Sequence, residues 1–218
     1  MSILTKNQLR ILGLLAGEPL VYENFYLTGG TALAEFYLGH RLSEDLDFFS
    51  TAEFDPLSVS AVLKKIQPGA GIRAVRAEQS FNRNLFFLEL TGDTLKTEFT
   101  YFPFPRIEQT KQIGRLWVDS LLDIAVNKVF TIYQKPRSRD YIDLYCVLQK
   151  EKTWTLGGLA QQAQVKFDHH LDPLQLGSQL LRATELKDYP KLLISLPERE
   201  WQDFFRQEAK KLSSEVLE

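Results

Sequence analysis

Apolar positions along the chain fall into two rhythms. At the start, Leu9 with Leu12 and Ile11 with Leu15 recur at helical spacing, which predicts a helix over residues 7–16 that Gly17 and Pro19 stop. An extended piece over 25–27 then runs into Thr28-Gly29-Gly30-Thr31. A helix over 31–38 follows, with Leu33, Phe36 and Tyr37 on one face and Gly39 at its end. Leu46-Asp47-Phe48-Phe49-Ser50 reads as a strand, and 56–66 as a helix opened by Pro56 and closed before Pro68-Gly69. Three extended runs come next, over 71–77, 84–90 and 95–102, the last two joined by the turn Thr91-Gly92-Asp93.

Beyond Tyr101-Phe102-Pro103-Phe104-Pro105-Arg106 nearly everything reads as helix. Residues 120–134 turn Leu122, Ala125, Val126, Val129 and Tyr133 inward, and 139–149 turn Tyr141, Leu144, Tyr145 and Leu148 inward with Ser138 placed as cap. Weaker helical stretches cover 156–165, 173–184 and 198–212. The expected build is an α/β (α+β) head with antiparallel strand pairs over residues 1–105 and an all-helical region over 106–218.

Composition narrows this to a folded domain. The 218 residues are 44% hydrophobic and 25% charged, which excludes disorder as the main state. With 26 Lys and Arg against 28 Asp and Glu, no global positive field holds a polyanion, so one must be gripped locally. Residues 1–110 carry 10 basic and 13 acidic side chains, the remainder 16 and 15. Lys128, Lys135, Arg137 and Arg139 form an acid-free stretch, readable as a cationic patch or as solvated helix-end charges. Cys146 stands alone, which excludes an internal disulfide and a Cys-based zinc site and leaves a small core residue as its reading. No run of eighteen apolar residues occurs, and a cytoplasmic protein without membrane contact is expected.

The candidate chemistry lies in Leu27-Thr28-Gly29-Gly30-Thr31-Ala32-Leu33 and, with thirteen residues between Thr31 and Asp45, in Asp45-Leu46-Asp47-Phe48-Phe49. In a strand Asp45 and Asp47 project to one face while Leu46 and Phe48 face the core. Two carboxylates side by side repel unless a cation relieves them, and hard oxygen ligands suit Mg²⁺ bound together with phosphates. The Gly-Gly-Thr turn exposes backbone N–H groups at a helix start and lets the backbone approach a phosphate chain closely. Such a site often adds a third carboxylate from a neighbouring strand. Glu98 is the candidate, with Lys96 on its face, and Glu89 competes. Together these parts are the equipment of metal-assisted phosphoryl or nucleotidyl transfer.

The stretch GGTALAEFYLGHRLSEDLDFF resembles the signature of the AbiEii/AbiGii-type nucleotidyltransferase toxins, a branch of the polymerase-β-like superfamily that includes the MenT toxins. Lys128 with Arg139-Asp140-Tyr141-Ile142-Asp143-Leu144 resembles that family's second block, so the matched motifs span 27–148. The resemblance implies a polymerase-β-like head with a mixed sheet, completed by the helical region. It implies that Gly29, Gly30 and Thr31 bind the triphosphate, and that Asp45 and Asp47 bind Mg²⁺, with Mn²⁺ as the alternative. Lys128 would reach the phosphates, Asp143 would organise the same cleft, and Arg41 and Ser43 would support the loop or touch phosphate. The strand glutamate departs from the aspartate common in such sites.

The implied mechanism is two-metal transfer of NMP from an NTP to an acceptor hydroxyl, with Glu98 helping at the second ion. The resemblance points to RNA, a tRNA 3′ end, as acceptor and to a cognate antitoxin as partner. A protein hydroxyl, modified by adenylylation, competes as acceptor. A non-catalytic partner whose nucleotide pocket regulates an interaction, and a D-x-D glycosyltransferase, are the other readings; Asp45 lies too near the N-terminus for the latter. Several residues also have plainer readings. Lys128 shares a face with Ile124, Thr131 and Lys135 and reads as exposed, Arg139 and Asp143 as an exposed helix pair, and Asp140 as a complement to the helix dipole. His40 reads as incidental, His169-His170 as solvated, and Trp117, Trp154 and Trp201 as packing of the helical region.

Overall fold

The structure, a computed structural model, describes residues 2–216. Its contacts divide the chain into two compact units, Met1–Ser120 and Leu121–Glu218. The first unit runs α1 (Lys6–Ala16), α2 (Pro19–Asn24), β1 (Tyr26–Thr28), α3 (Gly29–Leu33) with a π-helical turn (Ala34–Leu38), β2 (Leu46–Ser50) and α4 (Pro56–Ala70). Strands β3 (Ala74–Ser80), β4 (Arg83–Leu90), β5 (Asp93–Tyr101), β6 (Lys111–Ile113) and β7 (Leu116–Val118) complete it. They form one seven-stranded sheet in the order β3-β4-β5-β2-β1-β7-β6. Pairings β2/β5 and β1/β7 are parallel and the other four antiparallel, so the sheet is mixed.

Across β2, β4 and β5 one face of this sheet is dry. Leu46 and Phe48 of β2, Phe86 and Leu88 of β4 and Phe99 of β5 are buried, as are Ile11 and Leu15 of α1 and Leu63 and Ile66 of α4. Phe99 is the hub: its ring stacks on Phe48 at 4.9 Å and meets Phe25 and Phe86 edge-on at 5.1 and 6.0 Å. Helix α1 opens with a capping box, in which Thr5 Oγ1 accepts from the Gln8 N–H and Gln8 Oε1 accepts from the Thr5 N–H. The Gln8 amide also donates to the carbonyls of Ser43 (2.7 Å) and Glu44 (3.2 Å), tying the loop before Asp45 to the helix.

Three local expectations are corrected here. Pro68 lies inside the last turn of α4, where its missing N–H costs a single bond, and the helix ends at Gly71 with φ +69°. The strand expected over 71–77 therefore starts at Ala74. Pro19 opens the six-residue α2 as its first helical residue, besides ending the preceding helix pattern. The segment after Arg106, read as the start of the helical region, supplies β6 and β7, whose three residues each are too few for alternation to show. Trp117 accordingly sits in a strand of the head.

The second unit is all-helical: α5 (Leu121–Gln134), α6 (Ser138–Lys150), α7 (Leu156–Phe167), α8 (Pro173–Leu181) with a 3₁₀ turn (Arg182–Thr184), and α9 (Glu198–Val216). Helix α5 is packed by α6, α7 and α8, so Ile124, Ala125, Val126, Val129 and Ile132 are buried around most of its circumference. Tyr141 of α6 packs on Trp201 and Phe205 of α9 at ring separations of 6.4 and 5.1 Å. Ser138 does not cap α6. Asp140 Oδ2 accepts from the Arg137 N–H at 3.0 Å, while the Ser138 N–H and hydroxyl both donate to Asp188 Oδ1. Among the described residues no helix is long and apolar enough to cross a membrane.

This unit also buries charge. Lys166 Nζ of α7 lies 2.6 Å from Asp123 Oδ1 of α5, with side chains 2% and 0% exposed. Removing one partner of such a pair leaves an uncompensated buried charge. Lys166→Met is expected to lower unfolding free energy by ~3 kcal/mol in urea denaturation, and the double change with Asp123→Leu to recover much of that loss.

Candidate active site

The D-x-D strand is internal to the sheet, and its neighbours fix what surrounds it. Asp47 pairs with Thr28 of β1 on one side and with Glu98 of β5 on the other. Directly paired residues share a face, so Asp47 and Glu98 project together, opposite the stacked Phe48 and Phe99. Asp45, two residues before Asp47, joins that face. Glu89 has the same parity but lies on β4, with β5 between it and β2, so register selects Glu98 as the neighbouring carboxylate.

Two cations meet these acids. Lys96 Nζ donates to Asp45 Oδ2 at 2.9 Å, with both side chains about one-quarter exposed (26% and 22%). Arg83 reaches diagonally from β4 and grips Glu98 with a fork: Nε to Oε1 at 2.7 Å and Nη2 to Oε2 at 2.6 Å. Thr100 Oγ1 donates to Oε1 as well, at 2.7 Å. Burial alone pushes the Glu98 carboxyl up. The hydrogen bonds from Arg83 and Thr100, with the charges of Arg83 and Lys96, outweigh it and hold Glu98 below the ordinary glutamate value. The same hydrogen bond holds Arg83 above its usual value, against the cost of burial, and Asp47 and Asp45 add to it.

The glycine turn abuts the D-x-D strand. Gly29 has φ +71°, and a Cβ built there would stand 2.6 Å from Asp47 Oδ2. A Cβ on Gly30 would collide with the guanidinium of Arg41 and lie 3.2 Å from Ser43 Oγ. Arg41 is 2% exposed and donates to the Leu42 carbonyl, so it braces the turn from inside. Thr31 is fully buried and its hydroxyl donates to the Asp45 carbonyl, which couples the turn to the D-x-D segment. On the far side Thr28 Oγ1 donates to Asp119 Oδ2 and Tyr37 to the Asp119 carbonyl, both at 2.7 Å. Burial, and then Asp119 and Glu108, push the Tyr37 hydroxyl up to about 12.

The structure thus brings Gly29, Gly30, Thr31, Arg41, Ser43, Asp45, Asp47 and Glu98 together in the first unit. Lys128 and Asp143 belong to the second, where Lys128 Nζ lies 2.6 Å from Asp140 Oδ1 and 2.8 Å from Asp143 Oδ2. Lys128 is therefore buried, not exposed, and Asp143 pairs with it rather than with Arg139. Asp140 also receives the Arg137 N–H, so it does more than complement the helix dipole. Of the acid-free basic stretch only Lys135 and Arg137 are exposed, and Arg139 is half-buried. His169 and His170 are exposed, as expected, and His40 is buried. Cys146 is half-buried. Three contributors carried no sequence signal: Arg83, Asp119 and Gln8. Only strand register and tertiary hydrogen bonds reveal them.

Asp45 and Asp47 present hard oxygens on one face beside a turn that only glycine fits, and this donor set suits one divalent cation. Both oxygens of Glu98 are held by Arg83 in this arrangement. Among the described residues no three His, Cys, Asp or Glu side chains are grouped to hold a metal ion.

A mixed sheet with this D-x-D strand beside a glycine turn has the fold of the nucleotidyltransferases. The chain is similar, with a TM-score of 0.62 and 20% identity over 99% of both chains, to an H. pylori crystal structure provisionally described as a nucleotidyltransferase. It is also similar to JHP933 from Helicobacter pylori, with a TM-score of 0.58 and 20% identity over 97% of this chain and 94% of that one. In sequence it is 32% identical over 151 residues to the uncharacterised protein aq_aa25 of Aquifex aeolicus (strain VF5), covering 67% of this chain and 68% of that one. Residues 13–216 match the family described as nucleotidyl transferase AbiEii toxin, type IV toxin–antitoxin system, and the chain belongs to that family.

Two outcomes follow from this geometry. Gly29→Ala forces a side chain into the left-handed region and into Asp47; it is expected to cost about 1 kcal/mol of stability in denaturant unfolding and to abolish nucleotide binding measured by calorimetry. Because the folded-state pKa of Glu98 is depressed, the unfolded chain takes up its proton first as pH falls. The Glu98 contribution to stability is therefore whole above the ordinary glutamate value of 4.5 and is lost as pH drops below it. Thermal unfolding from pH 6 to pH 3 is expected to show a shallower decline for Glu98→Gln than for the wild type.

Proposed function

We propose that this protein transfers a nucleoside monophosphate from an NTP to an acceptor hydroxyl, as a toxin acting on RNA. The observation that carries the reading is the D-x-D segment lying against a glycine turn: the Asp47 carboxylate and Arg41 fill the space where Cβ atoms would stand, and Thr31 of the turn donates to the Asp45 carbonyl. In this reading the amides of Gly29, Gly30 and Thr31 receive the triphosphate, with Arg41 and Ser43 holding the turn in shape. Asp45 and Asp47 would hold Mg²⁺, or Mn²⁺ in its place. A divalent ion bound there supplies neutralisation of phosphate charge and acidification of an acceptor hydroxyl. With the turn amides, Asp45 and Asp47 would hold the nucleotide for in-line attack at the α-phosphorus: the acceptor hydroxyl gives its proton to solvent and forms the new P–O bond as the bond from the α-phosphorus to the pyrophosphate oxygen breaks. Lys128, expected at the phosphates, is held by Asp140 and Asp143 in the second unit and enters no step of this reading.

The acceptor proposed is an RNA 3′ hydroxyl, a tRNA end, with an antitoxin as the partner that restrains the enzyme; the family's description as a toxin–antitoxin system supports the partner. Protein hydroxyls are the competing acceptor. Incubation with each α-³²P-labelled NTP and Mg²⁺, together with total RNA or total protein, decides between them: label in RNA is expected, and label confined to protein overturns the RNA assignment. Asp45→Asn and Asp47→Asn are each expected to lower incorporation on the order of 10³-fold while circular dichroism stays that of the wild type. Undiminished incorporation by the folded double variant would remove this site from the reaction.

A further inference from the structure

The sheet ends on an open strand. β3 is terminal in the order β3-β4-β5-β2-β1-β7-β6, and all seven of its residues, Ala74–Ser80, are exposed. Among the described residues no strand pairs with its outer side. The hairpin with β4 fixes which backbone groups face outward. Ser80 pairs with Arg83 across the two-residue loop Phe81-Asn82, and the pair closing such a loop exchanges hydrogen bonds. Bonded and non-bonded pairs alternate along the ladder, so Glu78, Arg76 and Ala74 also turn their backbone groups toward β4. Val75, Ala77 and Gln79 therefore offer N–H and C=O to the open side, a row that a further strand can take up.

The side chains restrict what that strand can be. Register puts Arg76 and Glu78 on the face that bears Asp47 and Glu98: Glu78 pairs with Leu85, Leu85 with Glu98, and Glu98 with Asp47. Arg76 Nη1 pairs with Glu78 Oε1, both side chains are about half exposed (56% and 51%), and the Arg76 guanidinium lies 4.0 Å over the Phe87 ring. A partner strand must present an acid opposite Arg76 and a base opposite Glu78. β3 does so itself when a second copy runs antiparallel and the pairing is centred on Ala77. Arg76 of each copy then faces Glu78 of the other, Ala77 faces Ala77, and Val75 faces Gln79. Moving the centre by one residue sets Arg76 against Arg76 or Glu78 against Glu78, which is unfavourable. In the register centred on Ala77 the outward backbone groups also meet one another. The same register brings Phe81, 96% exposed at the hairpin tip with φ +55°, alongside the exposed Arg73 of the second copy.

We propose that this chain forms a twofold dimer by antiparallel pairing of its β3 strands, joining two sheets into one. A contact of this symmetry needs the same patch on both copies, and the charge order of β3 is its own complement. Directly paired residues share a face, so the two carboxylate faces open on the same side. Between the two β2 strands lie seven strand spacings, three within each copy and one at the contact, which sets the D-x-D segments roughly 34 Å apart. The contact is short, and its dissociation constant is expected on the order of 10 µM. The dimer does not rest on the nucleotidyl-transfer reading.

Sedimentation velocity of the full chain over about 1–100 µM, a range that brackets this constant, tests the proposal. The wild type is expected to pass from monomer to dimer. Arg76→Glu and Glu78→Arg each set like charges opposite one another in both reciprocal pairs, and are each expected to raise the dissociation constant about thirtyfold. An equimolar mixture of the two variants is expected to dimerise with near wild-type affinity, because each supplies the charge that the other faces. Ala77→Pro removes an outward N–H at the centre and leaves the β3/β4 ladder intact; it is expected to stay monomeric with the circular dichroism of the wild type. A wild type that is monomeric throughout the range overturns the proposal whatever the variants do. Dimerisation that survives Ala77→Pro, or a mixture no better than its components, puts the contact elsewhere and overturns it as well. Should Ala77→Pro fold poorly, the mixture decides alone.

Discussion

Carboxylates on neighbouring strands of one sheet face stand about 5 Å apart, and their mutual repulsion is the constraint around which the first unit is arranged. Asp45 immediately precedes β2 and Asp47 lies within it, and Glu98 faces Asp47 across the β2/β5 pair. Nothing on the dry face can relieve them, since it is filled by the rings of Phe48, Phe86 and Phe99. Relief comes along the sheet, from the β4/β5 hairpin that supplies Arg83 and Lys96. The hairpin therefore does more than extend the sheet: it carries the counter-charges that let an acidic strand lie between two neighbours.

The second unit meets the same problem in its interior and resolves it differently. Lys128 serves two acids from the next helix, and Lys166 serves Asp123 across α5 and α7. These charges are almost wholly withdrawn from water, so partners must be complete and fixed. On the head both Arg83 and Lys96 keep part of their surface in solvent. Exposure of that kind lets the single contact of Lys96 be exchanged for another, whereas the fork of Arg83 and the buried pairs of the helical unit favour permanence. One chain thus contains an adjustable electrostatic cluster and two rigid ones.

Much of this was legible in residue order. The Gly29-Gly30-Thr31 turn and the Asp45-Leu46-Asp47 segment announce their roles because glycine tolerance and strand alternation are local properties, and Phe48 of β2 and Phe99 of β5 point inward as their period requires. Long helices such as α5 and α6 were readable for the same reason. Arg83 was not, because its importance comes from a diagonal across two strands joined by pairings of distant residues. Lys128 was misread for a related reason. A face assigned by period assumes one wet side, and α5 is packed by three helices. The acid-free window from Lys128 to Arg139 also ends one residue before the first of its two partners, Asp140.

The strand order also governs when the first unit can be complete. Strand β2, made by residue 50, is flanked by β1 and by β5, whose residues come roughly fifty positions later. Strand β1 in turn lacks its second neighbour until β7, at Leu116–Val118, has been added. Contacts of such sequence separation form late, since loop closure precedes their reward. A growing chain that has made the glycine turn and both aspartates still has open edges on the strands that bear them. Chemistry encoded in the first fifty residues thus waits on the next seventy, and an unfinished copy released early has the motif without the centre.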